Sequence, residues 1–160
     1  MITFEHQRGI PFLCAKHSTD PVDGKFPETD EILSWAYVFE HRLGRCPHCR
    51  SQKLHTSALL NTRKNGNKYW VCRDCEKTFT MDKIQLIRIF DLAWIQTPEQ
   101  HKGKGYAKEI LEYLKTQCHR LNTQISATSE GGMEACKAAG MAEQGNILSW
   151  IKEGYERKES

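Results

Sequence analysis

Cys46, Cys49, Cys72 and Cys75 form two Cys-x-x-Cys pairs separated by 22 residues. Each pair presents two thiolates to one point, and two such turns on facing hairpins complete a tetrahedron around zinc, with Zn–S bonds of ~2.3 Å. Four thiolates close the shell and leave no position for a substrate water, so the zinc expected here is structural. A module this small has little core of its own, and metal binding supplies most of the folding free energy of such modules. The competing readings are chance pairs or a redox dithiol. Two matched pairs, CPHC and CRDC, argue against both. His48 and His55 are nearby imidazoles, but the four cysteines already fill the shell.

A second stretch carries different chemistry. Residues Ile95–Leu111 read IQTPEQHKGKGYAKEIL, an apolar strand end, a Gly-containing turn and the start of a helix. Glycines let backbone approach an anion, and the free N–H groups and dipole of a helix N-terminus face it. The turn is neither a Walker loop nor a three-glycine dinucleotide fingerprint. A lone Gly-x-Gly is, by itself, an ordinary strand-to-helix turn.

The context adds to it. Lys102-Gly103-Lys104-Gly105-Tyr106-Ala107 resembles motif A of the GNAT acyltransferase family, Arg/Gln-x-x-Gly-x-Gly/Ala, with lysine in the first place and Ile110-Leu111 on the family's apolar helix positions. A shifted register would use Gln100, Gly103 and Gly105. Ile125–Met141 resembles the fifth strand, fourth helix and Gly-aromatic end of that fold, and SWAYVFEHRLGR resembles an early strand pair. The resemblance implies an α/β (α+β) fold, a mixed central sheet flanked by helices. It implies acetyl-CoA as donor, its pyrophosphate on the amides of Gly103 to Ala107, beside Lys102, and its acyl carbonyl against the strand near Ile95. Candidate bases are Asp91, Glu99 and Glu130. Where the family often carries a tyrosine as acid, this chain has Cys136, and Met141 stands in place of the Phe. Cys136 and Tyr106 are the candidate acids. For Cys136 the alternative is a small buried helix residue.

KNGNKYWVCRDCEKTFT, around the second cysteine pair, resembles the zinc ribbons of insertion-sequence transposases: Lys64-Asn65-Gly66 as the hairpin, Tyr69-Trp70 before the third cysteine, Thr78-Phe79 after the fourth. That resemblance implies DNA or RNA contact, with Arg63, Lys64 and Lys68 on phosphates and Trp70 as a stacking platform. For Trp70 and Phe79 the alternative is the ribbon's own core.

The elements that must position these groups are legible in the pattern of apolar residues. Ile2-Thr3-Phe4 and Ile10–Leu13 read as short strands, Asp20–Asp30 as loop, Glu28–Ser34 as a helical turn and Trp35–Phe39 as a strand. Ile84–Ile95 reads as a long, largely buried strand, Tyr106–Cys118 as an amphipathic helix and Thr123–Thr128 as a strand. Met133–Ala139 reads as a short helix with Gly140 at C′, and Ile147–Ile151 as a last strand. The tail from Gly154 is expected to fray. The implied organisation is an acyltransferase-like fold in two pieces, 1–43 and 81–160, with a ribbon at 44–80 inserted between them.

The 160-residue chain suits such a layout, and a mean hydropathy of −0.64 implies a polar surface. No apolar run approaches the ~20 residues a membrane span requires. The N-terminus lacks a signal peptide's features. A cytoplasmic protein with no membrane partner is expected. In a reducing compartment cysteine pairs serve as metal ligands rather than disulfides. Between Arg42 and Lys83 ten bases face three acids, a net +7 in a chain whose total is +3. Concentrated on the ribbon, that charge favours a polyanion over a merely solvated face. The leading expectation is an acetyl-CoA-dependent N-acyltransferase acting on an amine of a nucleic acid or nucleic-acid-associated substrate. The alternatives are a non-catalytic ribbon protein on a degenerate scaffold and a ribbon that docks protein.

Overall fold

The computed structural model describes residues 1–6, 11–61, 63, 64, 66 and 68–156. Ile10, Asn65 and the last four residues of the tail therefore lie outside the described residues. The chain forms two compact units, Met1–His41 with Ile89–Lys152, and Arg42–Arg88 with Glu153–Ser160.

The strands in chain order are β1 (Ile2–His6), β2 (Phe12–His17), β3 (Ile32–Arg45), β4 (Leu54–Thr56), β5 (Tyr69–Cys72), β6 (Thr78–Thr80), β7 (Gln85–Gln96), β8 (Arg120–Gln124), β9 (Ala142–Gln144) and β10 (Ile147–Ile151). The α-helices are α1 (Tyr106–Gln117) and α2 (Glu130–Ala138). Seven strands make one mixed sheet in the order β1-β2-β3-β7-β8-β10-β9, and β4-β5-β6 make a separate antiparallel sheet. Within the large sheet β7 and β8 are parallel, while β8 and β10 are antiparallel. The parallel pair requires a crossover, and α1 supplies it.

Ile110, Leu111 and Leu114 of α1 and Cys136 of α2 are fully buried against Cys14, Ala36, Val38, Phe90, Leu121 and Leu148. One sheet face thus carries both helices and the core. Gly140, at φ +88, ends α2: Gly140 N–H donates to Lys137 O and Met141 N–H to Cys136 O, the Schellman pattern that glycine at C′ permits.

Several expectations change. The helical turn over Glu28–Ser34 is instead turn followed by the start of β3, because Ile32–Ser34 pair with β2. SWAYVFEHRLGR is one 14-residue strand with its flanking Ile32 and Leu33, not a strand pair. The strand placed at Thr123–Thr128 begins three residues earlier, at Arg120, and Ile125–Ala127 is a 3-10 turn. Leu121 and Thr123 take the inward positions, so the strand's alternation starts at Arg120 rather than Thr123. The short strand β9 has no apolar signal at all, being exposed throughout.

β7 is less buried than expected, with Leu86 at 64% and Trp94 at 56% exposure. Phe90 and Leu92 pack into the core and so does Ile95, so the alternation slips by one residue between Leu92 and Ile95.

The loop between β2 and β3 is clamped by Asp30. Its carboxylate accepts from His17 Nδ1 at 2.7 Å, Thr19 N–H at 3.1 Å and Thr19 Oγ1 at 2.8 Å. His17 also stacks on Phe26 at 3.9 Å. Desolvation raises the Asp30 pKa, but the His17 and Thr19 bonds outweigh it and hold the carboxyl below its ordinary value. A depressed folded pKa stabilises above the ordinary ~3.9 and is lost as pH falls through the folded value. Asp30→Asn is therefore expected to lower the urea midpoint at pH 7, with the gap to wild type closing as pH falls below ~4. Urea titrations at several pH values check this; a gap constant from neutral to acid pH contradicts it.

Candidate functional site

The smaller sheet brings the four cysteines together. Their Sγ atoms all lie within 4.8 Å of one another, with 3.6 Å between Cys46 and Cys75 and 3.5 Å between Cys49 and Cys72. A disulfide needs ~2.05 Å, so these are not bonded pairs. A tetrahedral zinc with ~2.3 Å bonds sets its sulfurs about 3.8 Å apart, which these thiols fit.

Both cysteine turns are built alike. Arg50 N–H donates to Cys46 O and Cys46 N–H to Ser51 O; Glu76 N–H donates to Cys72 O and Cys72 N–H to Lys77 O. Arg50 and Glu76 are the left-handed residues, at φ +63 and +61. Each turn aims backbone N–H groups at sulfur, as His48 N–H does at Cys46 Sγ, 3.4 Å away. Without metal the four thiols compete for charge. Burial raises the Cys46 pKa. At Cys49 the Ser51 N–H lowers it, but burial and the other three thiols carry it up to about 12. At Cys72 burial raises it, but the Cys75 and Asp74 N–H groups and the Cys49 and Cys75 thiols bring it down to about 7. A divalent cation at the centre of the four sulfurs relieves this competition, because it favours the thiolate at all four.

Behind the cysteines lie Phe79, Leu54, Trp70 and Ile84. Trp70 is half-buried there and packs in the ribbon's small core. Arg63, Lys64 and Lys68 are exposed, with Lys68 Nζ 5.7 Å from the Tyr69 ring centroid. His55 Nδ1 accepts from Arg73 Nε at 3.4 Å.

The second site lies at the rim of the large sheet. β7 and β8 pair in register from Ile89↔Arg120 to Leu92↔Thr123. β8 then ends at Gln124 while β7 runs on to Gln96, so the two strands part. A cleft of about 920 Å³ opens there, lined by Leu92–Thr97, His101–Gly103, Gly105–Lys108, and the segment from Ala127 into α2. Thr123 Oγ1 donates to Leu92 O at 3.2 Å, fixing the point of separation.

Two helix N-termini converge on this cleft. Gly103 and Gly105 take φ of +78 and +80, and no atom lies within 4 Å of where a Cβ would stand. Gly105 is the N-cap of α1 and provides no side-chain cap; the first intrahelical bond is Glu109 N–H to Gly105 O. The first N–H groups of α1 are therefore left for another acceptor. At α2, Ser129 Oγ accepts from Gly132 N–H at 3.1 Å, and a Cβ on Gly132 would stand 2.9 Å from Thr128 Cγ2.

Ile95, Lys102, Gly103, Gly105, Tyr106 and Ala107 all line the cleft, whereas Lys104 does not. Lys102 pairs with Glu99 at 2.8 Å. Glu130 opens α2 at the rim. Cys136 is fully buried in the core and burial pushes its thiol up to about 11; it does not line the cleft. Asp91 lies outside the lining, hydrogen-bonded to Asn122 and paired with His41.

His101 is a site residue that the sequence pattern does not single out. It lines the cleft at 9% exposure, and among the described residues neither ring nitrogen has a hydrogen-bond partner; a carboxylate oxygen of Glu31 is 3.7 Å from Nε2. A buried imidazole without a hydrogen bond, beside the open N-terminus of α1, fits an anionic ligand such as the diphosphate of a CoA thioester. Nothing in the sequence marks it beyond its place two residues before Gly103. Ser129, by contrast, carries an N-cap signal that could have placed the start of α2.

No protein-family model and no curated protein sequence matches the chain. Two solved structures are similar. A KacTA–DNA complex aligns with a TM-score of 0.51 at 10% identity, covering 94% of this chain and 73% of its own. A point mutant of the AtaT toxin aligns with a TM-score of 0.40 at 14% identity, covering 88% and 67%. The chain has a GNAT-like mixed α/β fold, a large mixed sheet with two helices. Among the described residues no helix is long and apolar enough to cross a membrane.

Proposed function

We propose that the protein transfers an acetyl group from acetyl-CoA to an amine of a nucleic acid or a nucleic-acid-associated substrate. The parting of β7 and β8 over the uncapped start of α1 is the observation that carries this reading. The Gly103–Ala107 amides, His101 and Lys102 would hold the diphosphate. The strand edge from Ala93 to Ile95 would align the thioester, because β8 no longer occupies its hydrogen-bonding side. Zinc would hold the ribbon together through Cys46, Cys49, Cys72 and Cys75. The exposed Arg63, Lys64 and Lys68, on a segment of net +7, would meet phosphates. The fold neighbour of TM-score 0.51 was solved with DNA, which is compatible with a nucleic-acid partner.

Radiolabelled acetyl-CoA incubated with total cellular RNA, DNA and protein fractions tests the reading. Zinc-loaded protein is expected to leave stable label in a nucleic-acid fraction or its bound protein, and in ~10-fold smaller amounts at 200 mM salt than at 50 mM. Label in no fraction contradicts it.

Of the two acid candidates, only Tyr106 lines the cleft. Tyr106→Phe is expected to lower kcat by at least ~10-fold, the low end of positioned proton transfer being ~100-fold and water substituting in part. Cys136→Ala is expected to cost ~1 kcal/mol of stability through lost packing, with kcat within about twofold. The pair of kcat and urea measurements separates the roles; the reverse pattern would return Cys136 to the chemistry. A second reading, a ribbon protein on a non-catalytic scaffold, draws on the removal of Cys136 to the core. Acetyl-CoA binding without turnover would favour it.

A further inference from the structure

We infer that His41 and Asp91 form the proton-accepting dyad for the acceptor amine, on the sheet face opposite α1 and α2. The inference rests on the acyl-transfer reading above. In β7, Phe90 and Leu92 pack into the core beneath the helices, so Asp91 between them belongs to the other face. In β3, Ala36 and Val38 pack into the same core, which puts Tyr37, Phe39 and His41 on that other face. His41 Nε2 lies 2.7 Å from Asp91 Oδ2, with side chains 56% and 43% exposed, so the pair is open to a substrate.

The carboxylate is held in place from behind. Asn122 Nδ2 donates to Asp91 Oδ1 at 3.3 Å. The Asn122 carbonyl in turn accepts from Ser149 Oγ at 2.8 Å and Arg120 Nε at 3.0 Å. Two donors on one amide oxygen fix which way the Asn122 amide points, and its amide nitrogen then fixes Asp91. An ordinary exposed ion pair has no such backing and contributes almost nothing to stability. Here the backing orients an imidazole. With Nε2 engaged by Asp91, Nδ1 is the nitrogen left to take a proton.

The position matters as much as the geometry. Asp91↔Asn122 is the pair immediately before Leu92↔Thr123, where β7 and β8 part. The dyad thus stands one residue from the gap, on the far side from the cleft that holds the helix N-termini. An acyl group reaching into the gap from the cleft is open to attack from the dyad's face. The neutral amine nitrogen bonds to the acyl carbon and the C–S bond breaks, its electron pair leaving on the CoA sulfur. His41 Nδ1 takes the proton the nitrogen sheds, Asp91 balances the imidazolium, Tyr106 protonates the departing thiolate, and the proton on His41 passes to water while water reprotonates Tyr106. Products are the amide and free CoA, with no other reactant required. His41 is the catalytic base in this account, and Asp91 is a positioning residue.

The test uses zinc-loaded full-length protein and whichever of the RNA, DNA or protein fractions takes label. His41→Ala is expected to lower kcat about 100-fold or more, with acetyl-CoA affinity unchanged within about twofold. Added imidazole is expected to restore at least ~10-fold of the rate to His41→Ala, because the truncation leaves room for it, and nothing to His41→Gln. Asp91→Asn is expected to lower kcat about 10-fold without rescue. If wild type transfers label and His41→Ala does so within about threefold, or is slow and gains nothing from imidazole, the dyad is refuted and acyl transfer stands. If wild type labels no fraction, both fall together.

Discussion

Cys72→Ser is expected to release zinc and unfold the β4-β5-β6 sheet. Four-thiolate zinc sites contribute ~10–16 kcal/mol of apparent binding free energy at neutral pH, and in small modules that energy is the folding energy. The sheet has little else to replace it. The buried cluster against β4, β5 and β6 consists of Cys46, Cys72 and Phe79, so two of its three members belong to the proposed zinc site. Three strands of three or four residues bury too little surface to stand alone. The zinc content of purified protein, read beside amide-exchange protection in β4, β5 and β6, checks this. Cys72→Ser should hold less than ~0.1 equivalent of zinc and lose protection in all three strands, and a strong chelator should do the same to wild type. Retained protection without metal would show that the cysteines are not what holds the sheet.

Gly105→Asp is expected to abolish acetyl-CoA binding while leaving the fold intact. Aspartate tolerates the left-handed conformation of Gly105 better than most residues, and its carboxylate would stand beside the free N–H groups of the first turn. Open space surrounds the position among the described residues, so the cost of the substitution is the strain of a side chain at φ +80. The substitution therefore sets a negative charge beside the amides that the reading assigns to the diphosphate, where that group must sit. Juxtaposed like charges cost several kcal/mol, so affinity should fall by about 100-fold or more. Calorimetric titration and a thermal melt together decide it. A melting temperature lowered by no more than about 10 °C, together with lost binding, is expected; affinity within about twofold of wild type would place the ligand elsewhere.

The two sites differ in how far the sequence discloses them. The candidate metal centre is legible because its geometry is local: each Cys-x-x-Cys turn carries its own hydrogen-bond pattern, and two matched turns bring four thiols together. The Gly-turn is legible for a similar reason, since Gly103 and Gly105 mark the backbone conformation directly. The rest of the cleft depends on separations that spacing does not encode. His101 becomes a buried imidazole without a hydrogen bond only because β7 outruns β8 and the turn folds over it. His41 and Asp91 are 50 positions apart, and their pairing depends on β3 and β7 being sheet neighbours. Cys136 reads first as a small buried helix residue and only second as an acid, and its complete burial agrees with the first. The strand at Ile32–Arg45 reads too short for another reason. Glu40–Arg42 carry polar side chains that the backbone pairing tolerates at half-buried and exposed positions.

The central claim is that one chain holds a structural zinc and uses its cleft for a CoA thioester. Native mass spectrometry of the wild-type protein mixed with acetyl-CoA tests both halves in one spectrum. The expected species is the chain plus one zinc plus one acetyl-CoA, with the acetyl-CoA adduct missing from Gly105→Asp and the zinc missing from Cys72→Ser. A zinc-loaded chain that takes up no acetyl-CoA at saturating concentration would contradict the account of the cleft, and a metal-free folded chain would contradict the account of the ribbon.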